Sequence, residues 1–351
     1  MSNYKNIRFF KDRLSFLIDR KATMIFVVLL IAVFIVFVIS TGTGEVKINP
    51  LTVLKVFFGG GSEMDSLIIK SFRLPRIIVA LMVGISLAVA GGILQGMIRN
   101  PLASPDVLGI TGGASVAVVS FLALFSDKNN ALTVSINWLP LAAFLGAGIV
   151  ALLVYFLAWK NGVSPIRLIL IGIGISTLMQ ALTTLMMIMG PIYQASQANI
   201  WITGTVYGSN WKNVATIVPW TVVFLIMALI AARTVNIQEL GDEVATGLGG
   251  KVQKQRFILL LICTALIGSS VAFAGGIGFV GLMAPHMARR LVGSSFGALL
   301  PASALIGGIL VMVADLIGRT MFSPLEIPVG VFTAGIGAPY FIYLLFKTRN
   351  A

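Results

Sequence analysis

The sequence predicts an all-α polytopic membrane protein with about ten transmembrane helices. The mean hydropathy is +0.99, 58% of the 351 residues are hydrophobic, and only 11% are charged. A soluble domain has roughly 45–50% apolar and about 25% charged residues. The apolar residues form long runs instead of alternating with polar ones, which indicates helices and not the strands of a membrane barrel. This composition excludes a soluble globular enzyme, a disordered chain and a coiled coil.

Ten apolar runs approach the roughly 20 residues that a transmembrane helix needs. They cover residues 24–41, 77–98, 107–126, 138–159, 167–190, 214–232, 257–275, 276–292, 299–317 and 327–346. The first run has the basic start of a signal sequence, but no small-residue cleavage site follows it, so we interpret it as a retained span. The predicted organisation is a basic N-terminal segment (1–23), one transmembrane domain (24–346) with a cytoplasmic segment at about 233–256, and a C-terminal segment (347–351).

The distribution of basic residues predicts the orientation. With the N-terminus inside, the cytoplasmic segments contain 17 of the 25 Lys and Arg residues, and the outer segments contain 8. The positive-inside rule counts these residues, so both termini are predicted to be cytoplasmic. The membrane also accounts for the net charge of +13, and we expect no nucleic-acid partner.

No energy source is evident within the chain. The stretch nearest to a phosphate-binding loop, ATGLGGKV at 245–252, fails at its first and last positions. A lone cysteine, Cys263, and a lone histidine, His286, supply no metal site, and no cofactor is expected. The acids that could serve an ion relay are only Asp315 and Glu326, both near a predicted outer end. This pattern favours a subunit that is powered by a partner and is not itself an enzyme.

Two segments interrupt the apolar pattern at opposite faces. Arg73 and Arg76 enter the second span from outside, against the charge rule. They are either snorkelling anchors or a docking site for an acidic partner or an anionic substrate. On the inner side, the prolines and glycines of 99–113 prevent a regular helix, which indicates either a tight loop or a constriction at the mouth of a pathway.

A third segment, 233–256, contains a short amphipathic turn. Leu240, Val244 and Leu248 are spaced by four and form one apolar stripe, while Asp242 and Glu243 lie on the other side. A basic helix would suit lipid headgroups, whereas this acidic one suits a cleft in a soluble partner.

Motifs in five regions of the chain, in order, resemble the permease family of type II ABC importers for iron–siderophore complexes, haem and cobalamin. They are RLPR (73–76), NPLASPD (100–106), LGDEVATGLG (240–249), GIGFVGLMAPH (276–286), and IPVG (327–330) with GAP (337–339). The resemblance implies ten helices with both termini inside, which agrees with the charge count. It also implies a second permease subunit, identical or paralogous, two cytoplasmic ATPase subunits that carry ATP and Mg, and an external substrate-binding lipoprotein.

The resemblance further implies roles for individual residues. The binding protein would dock at Arg73, Arg76 and Arg319, although Arg319 also follows Asp315 by four residues and could form an internal pair. The ATPase would be coupled through Leu240, Asp242, Glu243, Val244 and Leu248. The inner gate would contain Asn100, Pro101, Leu102, Ser164, Pro165 and Ile166, and related permeases often have small hydroxyl residues where Pro165 and Ile166 stand. The pathway would be lined by Ser176, Thr177, Gln180, Thr183 and Thr184.

The sequence therefore predicts a permease subunit in a bacterial plasma membrane, and ferric siderophores are its favoured substrates because no haem-ligand pattern is present. Haem and cobalamin remain alternatives within the family. A self-contained ion-coupled secondary transporter would need a midplane ion site and usually inverted repeats, neither of which is clear in this sequence. An assembly subunit without a pathway would not need interrupted segments at both mouths.

Overall fold

The computed structural model of the chain describes residues 4–9, 14–44, 46–126, 132–190 and 192–349. Over these residues the chain forms fourteen α-helices. The helices are α1 (Arg20–Gly42), α2 (Pro50–Phe57), α3 (Glu63–Leu67), α4 (Leu74–Ile98), α5 (Ile110–Leu124), α6 (Leu139–Leu157), α7 (Pro165–Met189), α8 (Ile192–Thr203), α9 (Trp211–Glu239), α10 (Asp242–Gly247), α11 (Val252–Ala274), α12 (Val280–Val292), α13 (Phe296–Thr320) and α14 (Val329–Arg349).

Two short strands precede the bundle. Strands β1 (Tyr4–Phe9) and β2 (Leu14–Asp19) pair antiparallel within the predicted N-terminal segment, where the sequence indicated no strands. A π-helical segment (Ile68–Arg73) joins α3 to α4, and a 3₁₀ turn (Ile136–Trp138) leads into α6. Parts of the two predicted terminal segments, residues 1–3, 10–13, 350 and 351, lie outside the described residues.

Ten helices correspond to the ten predicted spans, and the prediction of a helical polytopic membrane protein is confirmed. Seven are long and apolar enough to cross a membrane, and α5 and the Val329–Tyr343 part of α14 are shorter apolar helices. The predicted spans 107–126 and 276–292 are too long, because α5 begins only at Ile110 and α12 only at Val280. Irregular backbone precedes each of these two helices.

The segment before α5 lies inside the bundle. Ala103 and Leu108 are buried, and the backbone passes so close to α7 that a side chain at Gly172 would begin 2.7 Å from the carbonyl oxygen of Val107. Irregular backbone at membrane depth is stable where protein surrounds it. The glycines and prolines up to Gly109 allow that path, whereas the predicted irregular segment 99–113 is too long, because residues 110–113 form the first turn of α5.

Helix α4 occupies the centre of the bundle and packs on α13, α11, α9 and α12. Its small residues permit backbone contact: a Cβ at Gly84 would lie 2.2 Å from the oxygen of Gly307, and one at Gly91 would lie 1.9 Å from the oxygen of Gly281. Close approach through small residues is the usual packing mode of membrane helices. By contrast, most apolar side chains of α1 are exposed, as expected for a helix that faces lipid.

Candidate functional site

On the predicted outer face, two of the three arginines bind the end of α1. Arg73 donates to the carbonyl oxygen of Thr41 at 2.9 Å, and Arg319 donates to that of Thr43 at 2.7 Å and to that of Ser40. The last carbonyls of a helix have no partner within it, and the helix dipole favours positive charge there. Arg73 and Arg319 therefore hold the C-terminal end of α1 against α4 and α13.

The third arginine, Arg76, forms ion pairs with two acids. Its guanidinium lies 2.8 Å from a carboxylate oxygen of Asp315 and 2.9 Å from one of Glu326. Asp315 is 1% exposed and also pairs with Arg319 at 3.4 Å, so the internal Arg319–Asp315 pair is present. Arg76 further lies over the ring of Tyr207, with its Cζ 5.7 Å from the centroid.

All three arginines line one open cleft of about 620 Å³ on this face. The rest of its wall comes from the α1–α2 loop, the π-helical segment, the loop before α9 and the loop after α13: Gly44, Val46, Ile68, Ser71, Phe72, Tyr207, Gly208, Ser209, Asn210, Ser323, Pro324 and Glu326. The cleft contains more basic than acidic side chains. Docking of a binding protein at Arg73, Arg76 and Arg319 stays a prediction.

On the opposite face, α10 and the residues that flank it present an apolar patch. Leu240, Val244 and Leu248 are 63%, 47% and 65% exposed, and we call these three residues the inner apolar patch. Gly241 (φ +112°) and Gly249 (φ +81°) turn the chain sharply at the two ends of the helix, so α10 is not continuous with α9 or α11. The stripe predicted from the spacing is therefore a surface feature.

The two acids predicted on α10 have different surroundings. Glu243 is exposed, whereas Asp242 accepts from Arg99 and from Arg256, each at 2.9 Å and both at Oδ1. Arg256, at the start of α11, is fully buried. The sequence analysis did not identify Arg99 or Arg256, because a basic residue at the inner end of a span is indistinguishable from an ordinary membrane anchor.

The predicted gate residues lie in two separate places, the loop after α4 and the junction between the loop after α6 and the start of α7. In the first, Asn100 accepts from the backbone N–H of Leu102 at 2.9 Å, which closes a turn and leaves Leu102 partly exposed. In the second, Ser164 caps α7 by accepting from the backbone N–H of Arg167 at 3.3 Å. Pro165 occupies the first helical position, which suits proline, and Ile166 is exposed.

The predicted pathway residues of α7 divide into two groups. Thr177, Gln180 and Thr184 are exposed along one face, whereas Thr183 is buried and Ser176 donates to the carbonyl oxygen of Asp106 at 3.2 Å. Both exposed threonines donate to carbonyl oxygens one turn earlier in the helix. An exposed amide such as Gln180 is costly in lipid, so this face suits a water-filled pathway or a partner subunit.

The described residues contain no group of three or more His, Cys, Asp or Glu side chains that could hold a metal ion. The histidine, His286, accepts from Arg290 one turn later in α12 at 3.2 Å and contacts the ring of Tyr340 edge to face. His286 lies in the middle of α12, and these two contacts engage its side chain.

Known proteins share this architecture. A family model described as the FecCD transport family matches residues 29–347. In Bacillus subtilis (strain 168), YfhA, whose name is that of a siderophore transport system permease protein, is 60% identical over 95% of this chain and 97% of its own. FhuG from the same organism, an iron(3+)-hydroxamate import system permease protein, is 47% identical over 94% of this chain and 98% of its own.

A solved structure has the same fold. It is a metal-chelate type ABC transporter in an inward-facing conformation, with a TM-score of 0.83 and 30% identity over 93% of this chain and 99% of that one. The helices and these permease relatives confirm a multi-pass protein of the bacterial plasma membrane. The chain belongs to the FecCD transport family.

Proposed function

We propose that the chain is the permease subunit of a binding-protein-dependent ABC importer for ferric siderophores. The observation that carries this proposal is the 60% identity to a siderophore permease over 95% of the chain. The names of other relatives refer to iron(3+)-hydroxamate, achromobactin and ferric citrate, and these are all permease proteins. The chain forms the pathway and has no chemistry of its own.

The inner apolar patch is the proposed binding site for a cytoplasmic ATPase subunit. An apolar helical face on the cytoplasmic side gains free energy when a cleft of a soluble partner removes it from water. The sequence has no phosphate-binding loop with which the chain could use ATP directly. ATP binding and hydrolysis therefore belong to the partner, and movement of α10 links them to the pathway.

The cleft with the three arginines is the proposed docking site for an external binding protein. Its excess of basic side chains suits an acidic surface, and a complementary charge pattern favours encounter and register. The exposed face of α7 with Thr177, Gln180 and Thr184 lines the pathway, which a second permease subunit completes.

Uptake of radiolabelled ferric iron tests the proposal. Cells with and without this gene receive the iron as hydroxamate, catecholate and citrate complexes. We expect loss of uptake for one chelator class, restoration by the intact gene, and inhibition by vanadate, which blocks ABC ATPases. Loss of haem or cobalamin uptake instead would show that the importer transports a different substrate of this family. Uptake that depends on an ion gradient and is insensitive to vanadate would contradict the proposal of an ABC importer.

A further inference from the structure

Asp242 joins three separate parts of the inner face. It is the first residue of α10, while Arg99 follows α4 and Arg256 lies in the second turn of α11. Both guanidiniums lie 2.9 Å from the same carboxylate oxygen of Asp242. One acid thus holds two cations, and its removal would release both.

Each arginine is directly connected to one predicted gate loop. Arg99 immediately precedes Asn100, Pro101 and Leu102 in the chain. Arg256 donates to the carbonyl oxygen of Val163, the residue immediately before Ser164. Gln253 binds the same residue, since it accepts from the backbone N–H of Val163 at 2.8 Å.

Arg99 has an unfavourable backbone conformation that an interaction of its side chain must offset. Arg99 has a φ of +57° and terminates α4 in the left-handed region, where glycine or asparagine is usual. A non-glycine residue there costs free energy that the surroundings must offset. The ion pair with Asp242 provides such an offset and fixes the entry into the first loop.

We propose that Asp242 is the positioning residue that transmits movement of α10 to both inner gate loops, through Arg99 to residues 100–102 and through Arg256 and Val163 to residues 164–166. This inference rests on the proposed function, because it needs an ATPase that moves α10. It assigns Asp242 an intramolecular role, whereas the sequence analysis expected a direct contact with the ATPase.

The test measures the two loops separately. The complex of the chain with its ATPase is purified in lipid nanodiscs with Cys263→Ser, and either Leu102→Cys or Ile166→Cys supplies one thiol. The maleimide labelling rate is compared between the nucleotide-free and the ATP–vanadate state. We expect the parent ratio to differ from one by about tenfold at each position, and Asp242→Asn to bring both ratios close to one while the ATPase stays bound.

Glu239→Gln is the matched control. Glu239 lies on the same face, three residues earlier in the chain, and pairs with Arg289 at the same distance of 2.9 Å. It contacts neither gate loop within the described hydrogen bonds and ion pairs, so both labelling ratios should equal those of the parent. Loss of the response in this variant would mean that any broken ion pair suffices, which overturns the inference.

Arg99→Gln gives a second, asymmetric test that does not disturb the buried Arg256. The side chain of Arg99 is 35% exposed, so its removal is compatible with folding. We expect the response to be lost at position 102 and kept at position 166. Loss at both positions, or retention at both, contradicts two separate links through Asp242.

The remaining outcomes separate this inference from the proposed function. If the parent responds and Asp242→Asn responds equally, the inference alone fails. If Asp242→Asn no longer retains the ATPase, Asp242 is a docking contact and the inference is wrong. If the parent shows no response at either position, the proposed gates fail, and the inference fails with them.

Discussion

The outer and inner faces of this permease each contain an arginine cluster built around an aspartate, but the two clusters connect different kinds of structure. Outside, Asp315 is 1% exposed and pairs with Arg76 of α4 and Arg319 of α13. Inside, the side chain of Asp242 is 39% exposed and pairs with Arg99, which leads into a loop, and with Arg256, which binds a loop carbonyl.

The difference in burial indicates a difference in role. Arg319 also binds the carbonyl oxygens that end α1, so the outer cluster fixes three helices in one arrangement. A charge in such a buried network is costly to leave unpaired. The inner cluster lies beside the exposed inner apolar patch, and its aspartate is part of α10. Similar ion pairs thus hold helices together on the outer face and, in our proposal, transmit movement on the inner face.

Removal of the outer aspartate should have the largest effect on stability. Asp315→Asn leaves Arg76 and Arg319 without their buried counter-charge, and we expect a loss of about 3–5 kcal/mol in the free energy of unfolding. The thermal unfolding midpoint of the purified chain in detergent measures it.

Glu326→Gln is the control for this substitution. Glu326 pairs with the same Arg76 but its side chain is 36% exposed, so we expect a loss below about 1 kcal/mol. If the two variants were equally stable, the outer cluster would not be a buried scaffold, and the contrast between the two faces would be wrong.

A substitution in the inner apolar patch should weaken assembly and leave stability unchanged. Val244→Ser removes an apolar side chain that is 47% exposed and that the ATPase would bury, which is worth about half of the roughly 1.5–3 kcal/mol of a fully exposed valine and reduces affinity about three- to tenfold. Binding of the purified ATPase to the permease in nanodiscs measures it.

Thr246→Ala is the control within the same short helix. Its hydroxyl donates to the carbonyl oxygen of Asp242 inside α10, so we expect near-parental affinity for the ATPase. An affinity for Val244→Ser equal to that of Thr246→Ala would place the ATPase elsewhere on this face.

The sequence was sufficient for the ten spans because their apolar runs are long, whereas the shorter helices α2, α3 and α8 were not predicted. It was less accurate at 107–126 and 276–292, where the chain enters the bundle as irregular backbone. A hydropathy pattern reports the burial of side chains, and a buried loop has the same apolar composition as a helix. Only contacts such as that of Gly172 with Val107 distinguish the two.

The candidate site was predictable in its surfaces and not in its pairings. The spacing of Leu240, Val244 and Leu248 correctly indicated one apolar stripe, since helical periodicity is local. The partners of Asp242 are separated from it by 143 residues in one case and by 14 in the other. Such pairs depend on tertiary packing, and charge type alone does not select them from the other basic residues of the inner face.

The smallest expected effect concerns how the second gate loop is held. Ser164→Ala removes the cap of α7, which costs about 1 kcal/mol of stability and loosens the first turn of that helix. Ser164→Asp restores a side-chain acceptor at the cap and should recover the thermal unfolding midpoint.

In both variants we expect Arg256 to stay bound to the carbonyl oxygen of Val163, as it is in the parent. The nucleotide response of a cysteine at position 166 should therefore persist in Ser164→Ala, because the link to Asp242 is intact. A response that disappears with the cap and returns with Ser164→Asp would show that local helix geometry, and not the arginine link, positions this loop on the inner face.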